Sequence, residues 1–270
     1  MESKIATVLD LSFNPVAIIW SDEKPKDAVQ FKKGRWGCVM SLFASAARGR
    51  TAAFDRETFG CWGGGVGLGF GNQYLNVPGG IDAFYRFLST GALTQKEVNN
   101  TAEKLCNFIG GHLFDDFING ERYLKSPELV KEFVASLPIV DIPRTYVIFR
   151  PLRDVEGTDE EPVVVVFLAN PDQLSALVIL ANYGRKNFES ATTPFAAGCQ
   201  AIGILPYREA QSETPRAVIG LTDISARKHV RKQVGKDVFT FAVPFTMFQE
   251  MEDNVAGSFL ERENWKALKE

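Results

Sequence analysis

Pro162-Val163-Val164-Val165-Val166-Phe167-Leu168 is an unbroken apolar run, closed by Asn170-Pro171. A run this short, bounded by turn residues and rich in β-branched side chains, reads as a buried strand over Val163 to Leu168. Pro15-Val16-Ala17-Ile18-Ile19-Trp20 has the same form near the N-terminus. Around these two runs the pattern alternates. Thr145 to Phe149, Ala217 to Leu221 and Val238 to Val243 read as further strands, with a helix around Gln173 to Tyr183. Ser21 to Lys33 is charged and reads as loop or solvated helix. Cys38 to Ala47 is apolar nearly all round, which predicts a helix buried on most faces and ended by Gly49. Residues 81 to 136 read as helical, with a capping box at Thr94-Gln95-Lys96-Glu97 and a Ser cap followed by proline at Ser126-Pro127-Glu128. The fold class expected is α/β or α+β, a mixed sheet with flanking helices. The acidic stretch Asp154 to Glu161 is the best linker, dividing residues 1–153 from 162–270, or else one continuous domain runs through it.

The two halves share an order of features. Ala46-Ala47-Arg48-Gly49-Arg50 is similar to Ala181-Asn182-Tyr183-Gly184-Arg185. Each Gly-Arg is followed by a cysteine beside small residues, Cys61 after 12 positions and Cys199 after 15. Duplication would place the copies about a pseudo-twofold axis and bring Cys61 and Cys199 to a shared cleft. Equally, proline-led strands and glycine-ended helices are common punctuation in any such chain.

Composition narrows the function. A formal net charge of −3 and a pI near 5.6 argue against a nucleic-acid binder, which needs a basic face. No apolar run approaches the roughly 20 residues that span a bilayer. The N-terminus shows no secretory signal, so a cytoplasmic location is expected, where cysteines serve as core thiols, metal ligands or redox groups rather than disulfides. Only His112 and His229 occur, four residues apart from no partner, which removes a helical H-E-x-x-H motif and any histidine-rich metal site. Nucleotide fingerprints and the Gly-x-Ser-x-Gly elbow are missing as well.

The densest signal is Cys61-Trp62-Gly63-Gly64-Gly65-Val66-Gly67-Leu68-Gly69-Phe70-Gly71, six glycines in nine residues behind a cysteine. Such a run is selected where something approaches the backbone closely, and its N–H groups suit a thiolate, a cluster sulfide or an anion. Gly63, Gly64 and Gly65 are therefore candidate cofactor-binding positions. Cys38 at a helix start is expected to have a lowered thiol pKa. Cys199, in Ala196-Ala197-Gly198-Cys199-Gln200, sits in a loop of small residues. Cys38, Cys61 and Cys199 together could coordinate a metal or an iron–sulfur cluster, although their spacing is not that of a local clip and three unrelated buried thiols fit equally. Cys106 follows a helical apolar stripe and reads as core.

Arg50, Arg185 and Arg227 are candidates for holding an anionic ligand. Arg227-Lys228-His229-Val230-Arg231-Lys232 reads as one solvated helix face, and His112 as a structural histidine.

Several of these features coincide in one family. The cysteine opening an alanine-rich helix that ends in glycine (Cys38 to Gly49), the cysteine before small residues and glycines (Cys61 to Gly69), the apolar strand before Asn170-Pro171, Cys199, and Asp223, Arg227 and Pro244 resemble the domain-of-unknown-function 169 family over most of the chain. The resemblance implies an origin among anaerobic or anaerobe-related microbes and supplies no established activity. Many members carry a cysteine near the Asp/Arg motif, where this chain has Gly220-Leu221-Thr222, so three thiol ligands are expected here rather than four.

The function expected from these residues is a redox or thiolate-metal protein, with a bound iron–sulfur cluster or other thiolate-held metal. The alternative is a non-catalytic small-molecule or anion binder. No catalytic residue, substrate or oligomeric state follows from the sequence.

Overall fold

The computed structural model describes residues 1–92, 114–156 and 161–268. Seven strands form one sheet in the order β2-β3-β1-β4-β7-β6-β5. They are β1 (Val16–Ser21), β2 (Ala52–Phe54), β3 (Tyr146–Pro151), β4 (Val164–Ala169), β5 (Ala191–Thr192), β6 (Ala217–Gly220) and β7 (Phe239–Pro244). Every neighbouring pair is antiparallel except β5 and β6. At the centre Ala17 of β1 faces Val165 of β4, so the two apolar runs lie side by side and the sheet continues unbroken from one half of the chain to the other.

The lack of alternation in these runs has a direct cause. Val16, Ile18, Val164 and Val166 enter one core, whereas Ala17, Ile19, Val165 and Phe167 enter a second core on the opposite face. A strand covered on both sides has no polar face to present. Each fully buried valine or phenylalanine contributes roughly 1.5–3 kcal/mol relative to exposure. The back face is covered by α1 (Lys4–Val8), a helix at Pro171–Asn182 with a full Asn170/Gln173 capping box, and Phe245–Asp253. The front face carries α2 (Val39–Ala47), α3 (Trp62–Leu68), α4 (Ile81–Leu88), α5 (Phe114–Asn119) and α6 (Pro127–Ser136) from the first half. The second half adds α7 (Pro171–Asn182, on the back face), α8 (Gly198–Ile202), α9 (Ile204–Glu209) and α10 (Ile224–Val234). Among the front-face helices, α3 packs on α8 and α10 packs on α2.

Ser126 caps α6 and Pro127 occupies its first turn, as its sequence predicts. The stretch from 81 to 136 is divided by non-helical, bent chain between α5 and α6, and Thr94 to Glu97, Cys106 and His112 lie outside the described residues. Ser21 to Lys33 is loop, with Val29 bridging Ala52 in parallel. That bridge lies outside β2 as β5 lies outside β6, so the pairing sense reads alike from either edge of the sheet. Among the described residues no helix is long and apolar enough to cross a membrane.

Candidate functional site

The glycine run after Cys61 is a helix rather than a loop. Cys61 is the N-cap of α3, its Sγ accepting the Gly64 N–H at 3.2 Å, and Gly69 at φ 91° ends the helix in the left-handed conformation. Glycine is a poor helix former, so packing must select it here. A Cβ at Gly64 would stand 2.6 Å from Val39 Cγ2 and 2.8 Å from the Phe59 carbonyl oxygen, and one at Gly65 would stand 2.6 Å from Gln73 Cγ. At Gly67 the obstruction is the backbone of α8, with the Cys199 carbonyl carbon at 2.7 Å and its Sγ at 2.8 Å. Gly64, Gly65 and Gly67 thus let α3 sink onto its neighbours. Gly63 alone of the three candidate glycines lines the cavity described below, and a methyl there would meet nothing within 4 Å.

Cys199 also lies in a helix, the short α8, and its thiol donates to the Gly63 carbonyl at 3.2 Å. The start of α8 is fixed by two side chains. Asp223 accepts the Gly198 N–H at 2.6 Å while capping its own helix α10 through the Ala226 N–H at 2.6 Å. Gln200 accepts the Ala197 N–H at 2.9 Å and donates to the Tyr74 hydroxyl at 2.8 Å. Cys38 is the N-cap of α2 and its side chain makes no capping bond. These helix starts open onto one cavity of about 180 Å³, lined by Cys38, Cys61, Cys199, Gly63, Asp223 and Glu121 among largely aromatic residues. The structure therefore brings together the three cysteines selected from sequence, although they come from three helices and both halves of the chain.

Their electrostatics differ from the expected helix-start effect. Burial pushes the Cys38 thiol up to about 12 and the Cys61 thiol up to about 11, and raises Cys199 well above the usual thiol range. Proximity to one another and to Asp223 adds in the same direction. Desolvation thus outweighs the N–H groups at the helix starts. The three groups are neutral thiols at neutral pH, poor nucleophiles until a cation displaces their protons. Asp223 is raised by burial despite its two N–H partners, and burial carries Glu121 to about 7.

The three arginines lie elsewhere. Arg185 binds Glu250 and the Pro215 carbonyl, and Arg227 donates to the carbonyls of Leu221, Val238 and Lys236, while Arg50 is exposed. Arg227 to Lys232 lies within α10, with Lys228, Arg231 and Lys232 exposed. Among the described residues no lysine or arginine lines the cavity. Sequence reading missed Glu121, Tyr123 and Ser225. Ser225 donates to Glu121 and lies 3.0 Å from the Tyr123 hydroxyl. Asp223 enters the sequence reading only through the family resemblance, and nothing in Gly120-Glu121-Arg122-Tyr123 marks a cavity wall.

The model of the DUF169 family, described as an uncharacterised ArCR, matches residues 4–254. No curated protein and no solved structure matches the chain.

Proposed function

The chain belongs to the DUF169 family, whose description names no activity, and we propose that it is a redox protein holding an iron–sulfur cluster through Cys38, Cys61 and Cys199. The observation that carries this reading is the convergence of three thiols from three separate helix starts on one cavity. Thiolates are the ligands that clusters require. The ionisable lining supports a positively charged guest, because the Glu121 and Asp223 carboxyls and three thiols face the cavity beside one imidazole, His229, and no lysine or arginine among the described residues does. For the same reason the anion-binding alternative has less support.

Among the described residues no group of three or more His, Cys, Asp and Glu side chains is arranged to hold a single metal ion. A cluster several atoms across bridges thiolates at wider separations than one ion does. Loading must break the Cys199 bond to the Gly63 carbonyl, worth about 1 kcal/mol, which metal–thiolate bonding exceeds.

The test is anaerobic purification, followed by an absorption spectrum and iron, sulfide and zinc analysis on one sample. Visible absorption with stoichiometric iron and sulfide is expected, reduced in Cys61→Ser and Cys199→Ser. A colourless protein that takes up no cluster after reconstitution with iron and sulfide would exclude the reading.

A further inference from the structure

The rest of the cavity wall has a separate chemistry. One side is a ladder of rings: Tyr74 stacks on Phe84 with centroids 3.9 Å apart, and Phe87 continues it to Phe117 at 4.5 Å. Another is made by Phe133 and Phe195, 5.2 Å apart, with Tyr123 edge-on to Phe195 at 6.3 Å. All of these residues line the cavity. Set into this wall is the carboxyl of Glu121, which accepts a hydrogen bond from Ser225 and makes no use of the backbone. Its side chain caps no helix and joins no ion pair among the described residues.

Aromatic faces carry partial negative charge and attract cations, an attraction that grows when water is excluded. A cation brought into an apolar cavity must be paired, and the carboxylates available here to pair it are Glu121 and Asp223, which share the lining with the His229 imidazole. We propose that the aromatic wall and Glu121 form a binding site for a small organic ammonium ion with an apolar body. A volume of about 180 Å³ fits a ligand of one ring or a short aliphatic chain, since a cavity of roughly 150 Å³ admits benzene. This site uses residues other than the three cysteines but shares their cavity, so the ion and a cluster would compete for the same space and the site is tested with the thiols free.

The groups facing Glu121 set the pH behaviour. Asp116 from α5 and Asp223 from α10 favour its protonated form, and Ser225 and Lys228 from α10 favour the carboxylate. Ammonium binding is therefore expected to strengthen as pH rises through neutrality and the carboxylate forms.

The experiment is calorimetric titration of the purified protein at pH 8 with benzylammonium, benzyl alcohol and benzoate, with metal analysis of the same sample. Trp62, which lines the cavity, gives an independent fluorescence readout. Benzylammonium is expected to bind at least tenfold more tightly than benzyl alcohol, with benzoate weakest. Glu121→Gln should erase the preference for benzylammonium while leaving benzyl alcohol within about threefold. Ser225→Ala, which keeps the carboxyl, should reduce the preference by a smaller factor, and it serves as the test if the Glu121 variant does not fold. Equal binding of benzoate, an unchanged preference in both variants, or no binding of any probe overturns the proposal. A metal-free sample that still selects benzylammonium counts against the cluster alone; a loaded sample is titrated before and after removal of its metal, and failure to select benzylammonium after removal counts against this site alone.

Discussion

Replacing Gly67 by alanine tests whether the glycines of α3 are there for close packing. The new methyl would stand 2.7 Å from the Cys199 carbonyl carbon, 2.8 Å from its Sγ and 2.8 Å from the Gln200 nitrogen. Two of these three are backbone atoms of α8, so no rotamer change relieves the clash and the helices must separate. Overpacking of this kind costs about 1–3 kcal/mol, occasionally more. Against it stands the better helix propensity of alanine, about 1 kcal/mol. The net loss expected is therefore about 0–2 kcal/mol, and at ~2–4 °C per kcal/mol for a chain of about this size the melting temperature should fall by up to roughly 8 °C. Gly63→Ala is the internal control, because the same methyl in the same helix meets nothing within 4 Å. That variant should be as stable as the parent or up to about 1 kcal/mol more so. Thermal and urea unfolding of the two variants side by side decide the matter. If Gly67→Ala is at least as stable as Gly63→Ala, the close approach of α3 and α8 does not determine the glycine sequence. Gly63→Ala carries a second expectation, since its methyl points into open cavity space: bound iron should drop although stability does not.

Three further outcomes follow from the same geometry. Glu121, raised from 4.5 to about 7, holds a proton in the folded state that the unfolded chain releases, so its contribution to stability is complete below about 4.5 and is lost as pH rises through about 7; urea midpoints measured across that window should show a decline that Glu121→Gln removes. Without a bound cation the thiols are neutral at pH 8, so alkylation followed by peptide mass analysis should find Cys38, Cys61 and Cys199 modified far more slowly in the native protein than in urea, and fast native labelling of Cys61 would contradict its burial-raised pKa. Arg227→Ala leaves three carbonyls short of a donor and should cost about 1–3 kcal/mol in unfolding experiments, with ammonium and metal binding unchanged.

Much of the architecture was legible because the two central strands are covered on both sides. Val164 to Phe167 has no polar interruption, and that continuity can be read from residue types alone. Cys38 to Gly49 was equally clear, because the apolar surround and terminal glycine report local physics. The glycine segment was not, since its four helical glycines contradict helix propensity and three of them, Gly64, Gly65 and Gly67, are explained only by Val39, Gln73 and Cys199, residues brought close by tertiary folding. β2 and β5 escaped notice for a related reason. At 3 and 2 residues they carry no period of their own and exist by pairing with β3 and β6. The three cysteines could be singled out by environment, but their convergence depends on strand order. The lowered thiol pKa expected for Cys38 failed because a sequence shows a helix start and does not show how much water surrounds it.

The glycine content of α3 also bears on the order in which the protein assembles. Four of its seven residues are glycine, a deficit of about 4 kcal/mol in helix propensity relative to alanine. A segment of this length is marginal even with good helix formers. On the growing chain Val39, Phe59 and Gln73 offer part of the surface it needs, and α8, which supplies the rest at Gly67, belongs to the second half of the sequence. The final packing of Cys61 against Cys199 therefore awaits the second half. On the proposed cluster reading, a nascent chain without its C-terminal half carries Cys38 and Cys61 but lacks Cys199, so the full ligand set forms only once both halves are made.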